Sequence, residues 1–268
     1  ASTPGFAVST DSTFISDCNK LGASSNALKT SALALAEETP ALGQDGRFVA
    51  YTATQNGHAQ IFLRDTCTGA ASDCQPHTAL LSASADGTPG NADSNTPAMS
   101  TDGRFVAFSS AATNLVSNTP AGRQIFVRDT CSGAAASCTP QTALISADES
   151  GALSGNDNLL PSVSASGRFV AFLSVTPSKY PSKPGQPNSG FRQIFVRDTC
   201  LGSTTPCTPK TTRLSVMPGD TSSLPGKPAG PAISSSAQAV GVSSAASPTL
   251  FTRSVPVDDR VFLALTQK

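Results

Sequence analysis

The sequence predicts an all-β fold assembled from one repeated antiparallel unit, and three observations carry that prediction. A phrase of the GRFVAF type follows a proline at Pro40, Pro97 and Pro161, with a degenerate copy at Pro231, so the starts lie 57, 64 and 70 residues apart. Each copy continues in the same order through a variable loop, a QIFVRDT phrase, a cysteine pair and a short apolar run, which is the mark of a repeat architecture. The chain has 21 Gly and 20 Pro in 268 residues with only 13% charged, a composition that suits short strands joined by many turns.

Residues 1–39 precede the first unit. Within them GFAVST (5–10) and TFISD (13–17) read as a hairpin, and ASSNALKTSALALAEE (23–38) reads alternatively as a short helix. The segment could lie against the last unit, cover a sheet edge, or enter a neighbouring molecule. The repeat domain spans 40–268, with units starting near 40, 97, 161 and 231.

One unit reads as four strands. A short first strand leads from the proline, and Asp102-Gly103 supplies turn chemistry, a side-chain acceptor followed by a residue free to take positive φ. Arg104–Ser109 and Gln124–Asp129 are rich in Val, Ile and Phe, as strands are. Their apolar character is nearly continuous, which calls for burial on both faces, with Phe126 pointing opposite to Ile125 and Val127. The fourth strands are TALLS (78–82), TALIS (142–146) and TRLSV (212–216), and the last unit keeps the order without cysteines as LFTRSV (250–255) and RVFLALT (260–266). Four-stranded sheets buried on both sides, repeated along a chain, predict a β-propeller of four antiparallel blades. An open β-solenoid-like array of the same units is the alternative.

The unit P-x-x-S-x-D-G-R-F-V-A-F, then I-F-V-R-D, then a strand ending in Ser, resembles the TolB-type β-propeller repeat, in the variant found in secreted and cell-surface bacterial proteins. The resemblance covers 40–268 with decreasing quality and is clear in three of four units. It implies a propeller with no characteristic enzyme activity. The cysteine loops are not part of that general pattern, and the fourth unit has lost both the Asp-Gly turn and the RDT.

The formal net charge is zero, which lacks the basic excess that drives binding to nucleic acid or anionic membranes. No apolar run is long enough to span a bilayer. The chain reads as a mature or excised product. Six of the seven cysteines fall into pairs of identical spacing, Cys67/Cys74, Cys131/Cys138 and Cys200/Cys207. Zinc ligands come as closer pairs that converge, and a redox C-x-x-C is absent. The expectation is therefore three disulfides and an oxidising compartment, secreted or at the cell surface, with the periplasm as the alternative. Cys18 stands outside the repeat, as a thiol that either pairs between chains or is buried free.

Other chemistry is thinly supported. Arg104, Arg128, Asp102 and Asp129 recur from unit to unit, and a repeated residue serves the repeat rather than a single catalytic site. The loops ADGTPGNADSNTP (85–97) and ADESGALSGNDNLLP (147–161) offer hard oxygen donors to Ca2+ but match neither the EF-hand nor the nonapeptide spacing. No G-x-S-x-G is present, and the two histidines, His58 and His77, have no evident triad partners. A glycosidase pair could be drawn from Glu37, Glu38, Asp148, Glu149, Asp258 and Asp259, with nothing to single out two of them. Trp is absent and Tyr occurs only as Tyr51 and Tyr180, a poor supply of rings for stacking sugars.

The sequence therefore predicts a non-catalytic secreted scaffold without metal or cofactor. Its partner would be a second copy of itself, in a filament or surface layer, or another surface protein. A polysaccharide-active hydrolase or lyase with a funnel site, and a periplasmic partner-binding propeller, are the competing readings.

Overall fold

A computed structural model describes residues 7–8, 14–15, 40–153, 155–176, 191–201, 206–215, 230–234, 236–244 and 247–254. Every regular element among them is a β-strand. Two short strands, β1 (Ala7–Val8) and β2 (Phe14–Ile15), pair antiparallel as a hairpin of their own. The helix considered for 23–38 lies outside the described residues.

The first blade comprises β3 (Ala41–Leu42), β4 (Phe48–Gln55), β5 (His58–Asp65) and β6 (His77–Leu80). The second comprises β7 (Ser94–Met99), β8 (Phe105–Ser110), β9 (Gln124–Asp129) and β10 (Gln141–Leu144). The third comprises β11 (Asp157–Val163), β12 (Phe169–Thr176), β13 (Phe191–Asp198) and β14 (Lys210–Arg213). The fourth has β15 (Ala232–Ile233), β16 (Ala239–Ser244) and β17 (Ser247–Ser254). Within each sheet the strands lie in chain order, and every pairing is antiparallel. The fourth blade thus shows three strands where four were predicted, and RVFLALT (260–266) lies outside the described residues.

Burial explains why the central strands read as unbroken apolar runs. Val106, Phe108 and Phe126 meet Phe48, Ala50, Ile61 and Leu63 of the first blade in one cluster. The alternate residues Phe105, Ala107, Ile125 and Val127 meet Val163, Val170 and Phe172 of the third blade in another. A third cluster joins Phe169, Ala171 and Leu173 to Ala237 and Val240 of the fourth. Each strand feeds two interfaces, so neither of its faces can be polar. A fully buried Phe contributes roughly 2–3 kcal/mol at such an interface. This stacking of antiparallel sheets face to face is a β-propeller of four blades.

One local difference from the predicted unit stands out. The first strands of the second and third blades begin before Pro97 and Pro161, not at them. A register shift between Asn95 and Ala98, and another between Leu159 and Ser162, absorbs the proline. Thr96 and Leu160, just before each proline, take φ of 52° and 50°. A bulge is where a strand tolerates a residue that cannot donate to the ladder.

Candidate functional site

The repeated charged residues form a knot at the same end of three blades. Asp65, Asp129 and Asp198 close the third strand of their blades, beside the start of the second strand. There Arg47 Nε and Nη2 donate to Asp65 Oδ1 and Oδ2 at 2.9 and 2.8 Å. Arg104 grips Asp129 in the same fork at 3.0 and 3.0 Å, and Arg168 grips Asp198 at 2.9 and 2.8 Å. Each guanidinium also lies over the next ring, Phe48, Phe105 or Phe169, at 4.8, 4.8 and 5.1 Å, a cation–π contact. Burial pushes the Asp65 carboxyl up, but the Arg47 hydrogen bond and the Cys67 amide together hold it below the usual carboxylate range.

The same carboxylates start the cysteine loops. The amides of Cys67, Cys131 and Cys200 donate to the Asp two residues back at 2.8, 2.9 and 3.0 Å. Those three cysteines have φ of 60°, 62° and 61°, a left-handed conformation that the Asp bond holds in place. The structure joins Cys67–Cys74, Cys131–Cys138 and Cys200–Cys207. Three such bonds place the chain in an oxidising compartment outside the cytoplasm. Cys18 lies outside the described residues. In each of these three blades the carboxylate and the two sulfurs come within 4.8 Å, a spacing a metal ion could use. Both sulfurs are already bonded, however, and arginine occupies both carboxylate oxygens, so the trio offers no open donor set. Removing one clamp, Cys131→Ser with Cys138→Ser, is expected to lower stability by about 2.5 kcal/mol by the chain-entropy relation. A urea midpoint shift corresponding to less than about 0.5 kcal/mol would mean that the Arg–Asp fork alone holds the loop.

A second repeated pair escaped the sequence reading. Ser82 Oγ donates to Gln60 Oε1 and receives the Ile61 amide at 2.9 Å. Ser146 does the same for Gln124 and Ile125, at 2.6 and 3.0 Å, and Ser215 receives the Ile194 amide at 3.0 Å. These groups are buried. The signal was the recurrent Gln before IF and the recurrent Ser at the end of each fourth run.

The loops weighed for Ca2+ use their carboxylates on the chain itself. Asp86 accepts from Ser84 Oγ and the Thr88 amide, which hold its pKa at about 2. Asp148 accepts from the Ser150 and Ala152 amides at 2.9 and 3.0 Å. Asp93 and Asp157 reach back one blade, accepting the Ala59 and Arg123 amides at 3.0 Å each. Of the carboxylates considered for glycoside hydrolysis, only Asp148 and Glu149 lie among the described residues, and Glu149 Oε1 accepts the Arg213 amide at 3.3 Å. His58 opens β5 after an Asn56-Gly57 turn with both φ positive and stands half-buried, 3.5 Å from Asp93. His77 opens β6. The structure does not bring the two histidines together with a serine and a carboxylate.

His77 does line a cleft of about 450 Å3 between the first and second blades. Its floor is apolar, from Phe48, Leu63 and Leu81, and its wall is the clamped loop at Ser132 and Gly133. Arg47, Arg104 and Arg128 reach its rim, with Asp45, Asp65 and Asp102. The volume lies within the range of small-molecule sites.

Repeat, sheets and clamps define a disulfide-stapled β-propeller. No family model matches the chain, and no curated protein matches it. Among solved structures, TolB from Acinetobacter baumannii is similar at 14% identity and a TM-score of 0.43, over 81% of this chain and 40% of that one. The putative TolB from Agrobacterium tumefaciens gives 18% and 0.37 over 67% and 52%, and the tricorn protease 13% and 0.45 over 81% and 21%. The chain spans about half or less of the length of each. Likeness at this level carries nothing about activity.

Proposed function

We propose that the chain is a non-catalytic, secreted scaffold that displays a rigid propeller to a second copy of itself or to another surface protein. One observation carries the reading: the Arg, Asp and Cys groups capable of chemistry are held in the same knot in three blades. A group fixed identically three times maintains the fold, whereas catalysis requires a unique constellation with open valences. The clamps suit a protein exposed outside the cell, where proteases attack loops that open. Self-assembly is the finer part of the proposal. It draws on the odd Cys18 and on the segment 1–39 outside the repeat, whose strands β1 and β2 pair only with each other among the described residues. An unpaired strand edge is a template for another chain, and head-to-tail addition that fails to close gives a filament.

Sedimentation and electron microscopy of the native material, over a rising concentration series with and without reductant, test this directly. Oligomers or filaments are expected. Monodisperse monomers throughout would end the assembly reading, and turnover of polysaccharide by the pure protein would end the non-catalytic one.

A further inference from the structure

The cleft between the first two blades has a counterpart, one interface further on, that is filled. Where the second blade has Ser132 after the clamp's first cysteine, the third has Leu201. Leu201 packs into the cluster between the second and third blades that includes Phe105, Val127, Ala143 and Ile145. The matching residues one blade earlier are Phe48, Leu63, Ala79 and Leu81, and these line the open cleft beside Ser132. The hollow is therefore the place of a missing leucine side chain.

A cation stands beside it. Arg128 is partly buried, and its Nη1 donates to Thr142 Oγ1 at 3.0 Å. Among the described residues no carboxylate lies in ion-pair contact with it. Its sequence neighbour Asp129 has both oxygens taken by Arg104, and burial pushes the Arg128 guanidinium below its usual pKa. The acids on the lining are engaged elsewhere. Asp65 is forked by Arg47, while Asp45 and Asp102 accept the turn amides of Arg47 and Arg104 at 3.0 Å each. An apolar hollow next to a desolvated guanidinium suits one chemistry. The hollow takes a branched aliphatic group, and the planar fork takes a carboxylate on both oxygens.

We propose that this cleft binds an aliphatic carboxylate, its branched tail seated where Leu201 sits in the next interface and its carboxylate on Arg128. The source is either a free branched-chain acid or the carboxy-terminal leucine of a peptide. The site stands independently of whether the chain assembles.

Titration followed by NMR or calorimetry decides it, with 4-methylpentanoate, N-acetyl-alanyl-leucine and the neutral 4-methylpentanamide as probes. At least one acid is expected to bind at millimolar concentration, and the amide at least about tenfold more weakly, the scale of one lost charge contact. Binding of only the free acid, or only the peptide, assigns the source. Ser132→Leu is expected to abolish binding by filling the hollow, and it should fold because Leu201 already occupies that position one blade on. Arg128→Met is expected to bind the acids no better than the amide. Melting curves confirm that each variant is folded, and if Ser132→Leu is not, the amide comparison and Arg128→Met decide alone. No binding by the native protein, or unchanged binding by a folded Ser132→Leu, overturns the proposal.

Discussion

Replacing Asp129 with alanine is expected to lower stability by about 2–4 kcal/mol, because one side chain holds three things at once. It receives both arms of Arg104, fixes the left-handed start of the clamped loop through the Cys131 amide, and keeps Arg104 over the Phe105 ring. The carboxylate is 8% exposed and its partner 33%. The orphaned guanidinium can therefore regain some water, which keeps the cost below that of a fully buried pair. The fourth unit shows what the knot looks like when it is given up whole. There Gln238 stands at the Arg position and Ser254 at the Asp position, with Ala239 paired to Ser254 as Phe105 is to Asp129. Both partners have changed together and no clamp follows. The double change Arg104→Gln with Asp129→Ser should accordingly cost less than the sum of the two single changes, by about 1–2 kcal/mol. Equilibrium urea unfolding of the four proteins measures the coupling. A coupling near zero, with Asp129→Ala costing less than about 0.5 kcal/mol, would reduce the fork to an ordinary surface ion pair.

What the sequence made legible was whatever recurs. The strands Gln124–Asp129 and Phe105–Ser110 are visible because β-branched and aromatic residues crowd them, and the clamps because six cysteines keep one spacing. The cleft was not legible, because it is a difference between copies: Ser132 against Leu201 is a single letter inside a variable loop. Reading a repeat averages such letters away, although here one of them opens a cavity. The Gln–Ser pairs do recur, but the further partners that tie them to the next blade stayed hidden for a related reason. Gln60 donates to the Gly90 carbonyl thirty residues on, and Asn158 donates to Gln124 across a blade interface at 3.2 Å. No local pattern reports a contact between successive sheets. The carboxylates of the acidic loops looked like metal donors because composition does not show which backbone amides they will meet.

Glycine 167 shows how a correct local reading can miss the larger reason. Turn chemistry accounts for a glycine there, and it does take a φ of 70°. The added cost of a side chain comes from the neighbouring blade: a Cβ at Gly167 would stand 2.3 Å from the Phe105 ring, and one at Gly103 2.5 Å from the Phe48 ring. Each turn glycine therefore roofs the phenylalanine of the blade before it. Gly167→Ala is expected to cost about 3 kcal/mol, combining the left-handed penalty for a residue with a Cβ and the overpacking of a filled interface. Substitution at Gly57, with φ of 82° but nothing within 4 Å, carries only the first of these and should cost about 1–2 kcal/mol. The fourth unit again supplies the contrast, since Ala237 occupies this position at a φ of 58° in the cluster with Phe169. Alanine is accommodated there in a blade that lacks a fork of its own, against a Phe169 ring whose Arg168–Asp198 fork is intact, so the turn residue and the ring it covers adjust to each other. If that coupling is real, Phe105→Leu should suppress part of the Gly167→Ala loss, since removing the ring removes the clash while leaving the backbone strain. Thermal unfolding of the two single variants and the double variant reads this out. Additive losses would show that the glycine serves its own turn alone and that the blades do not register through it.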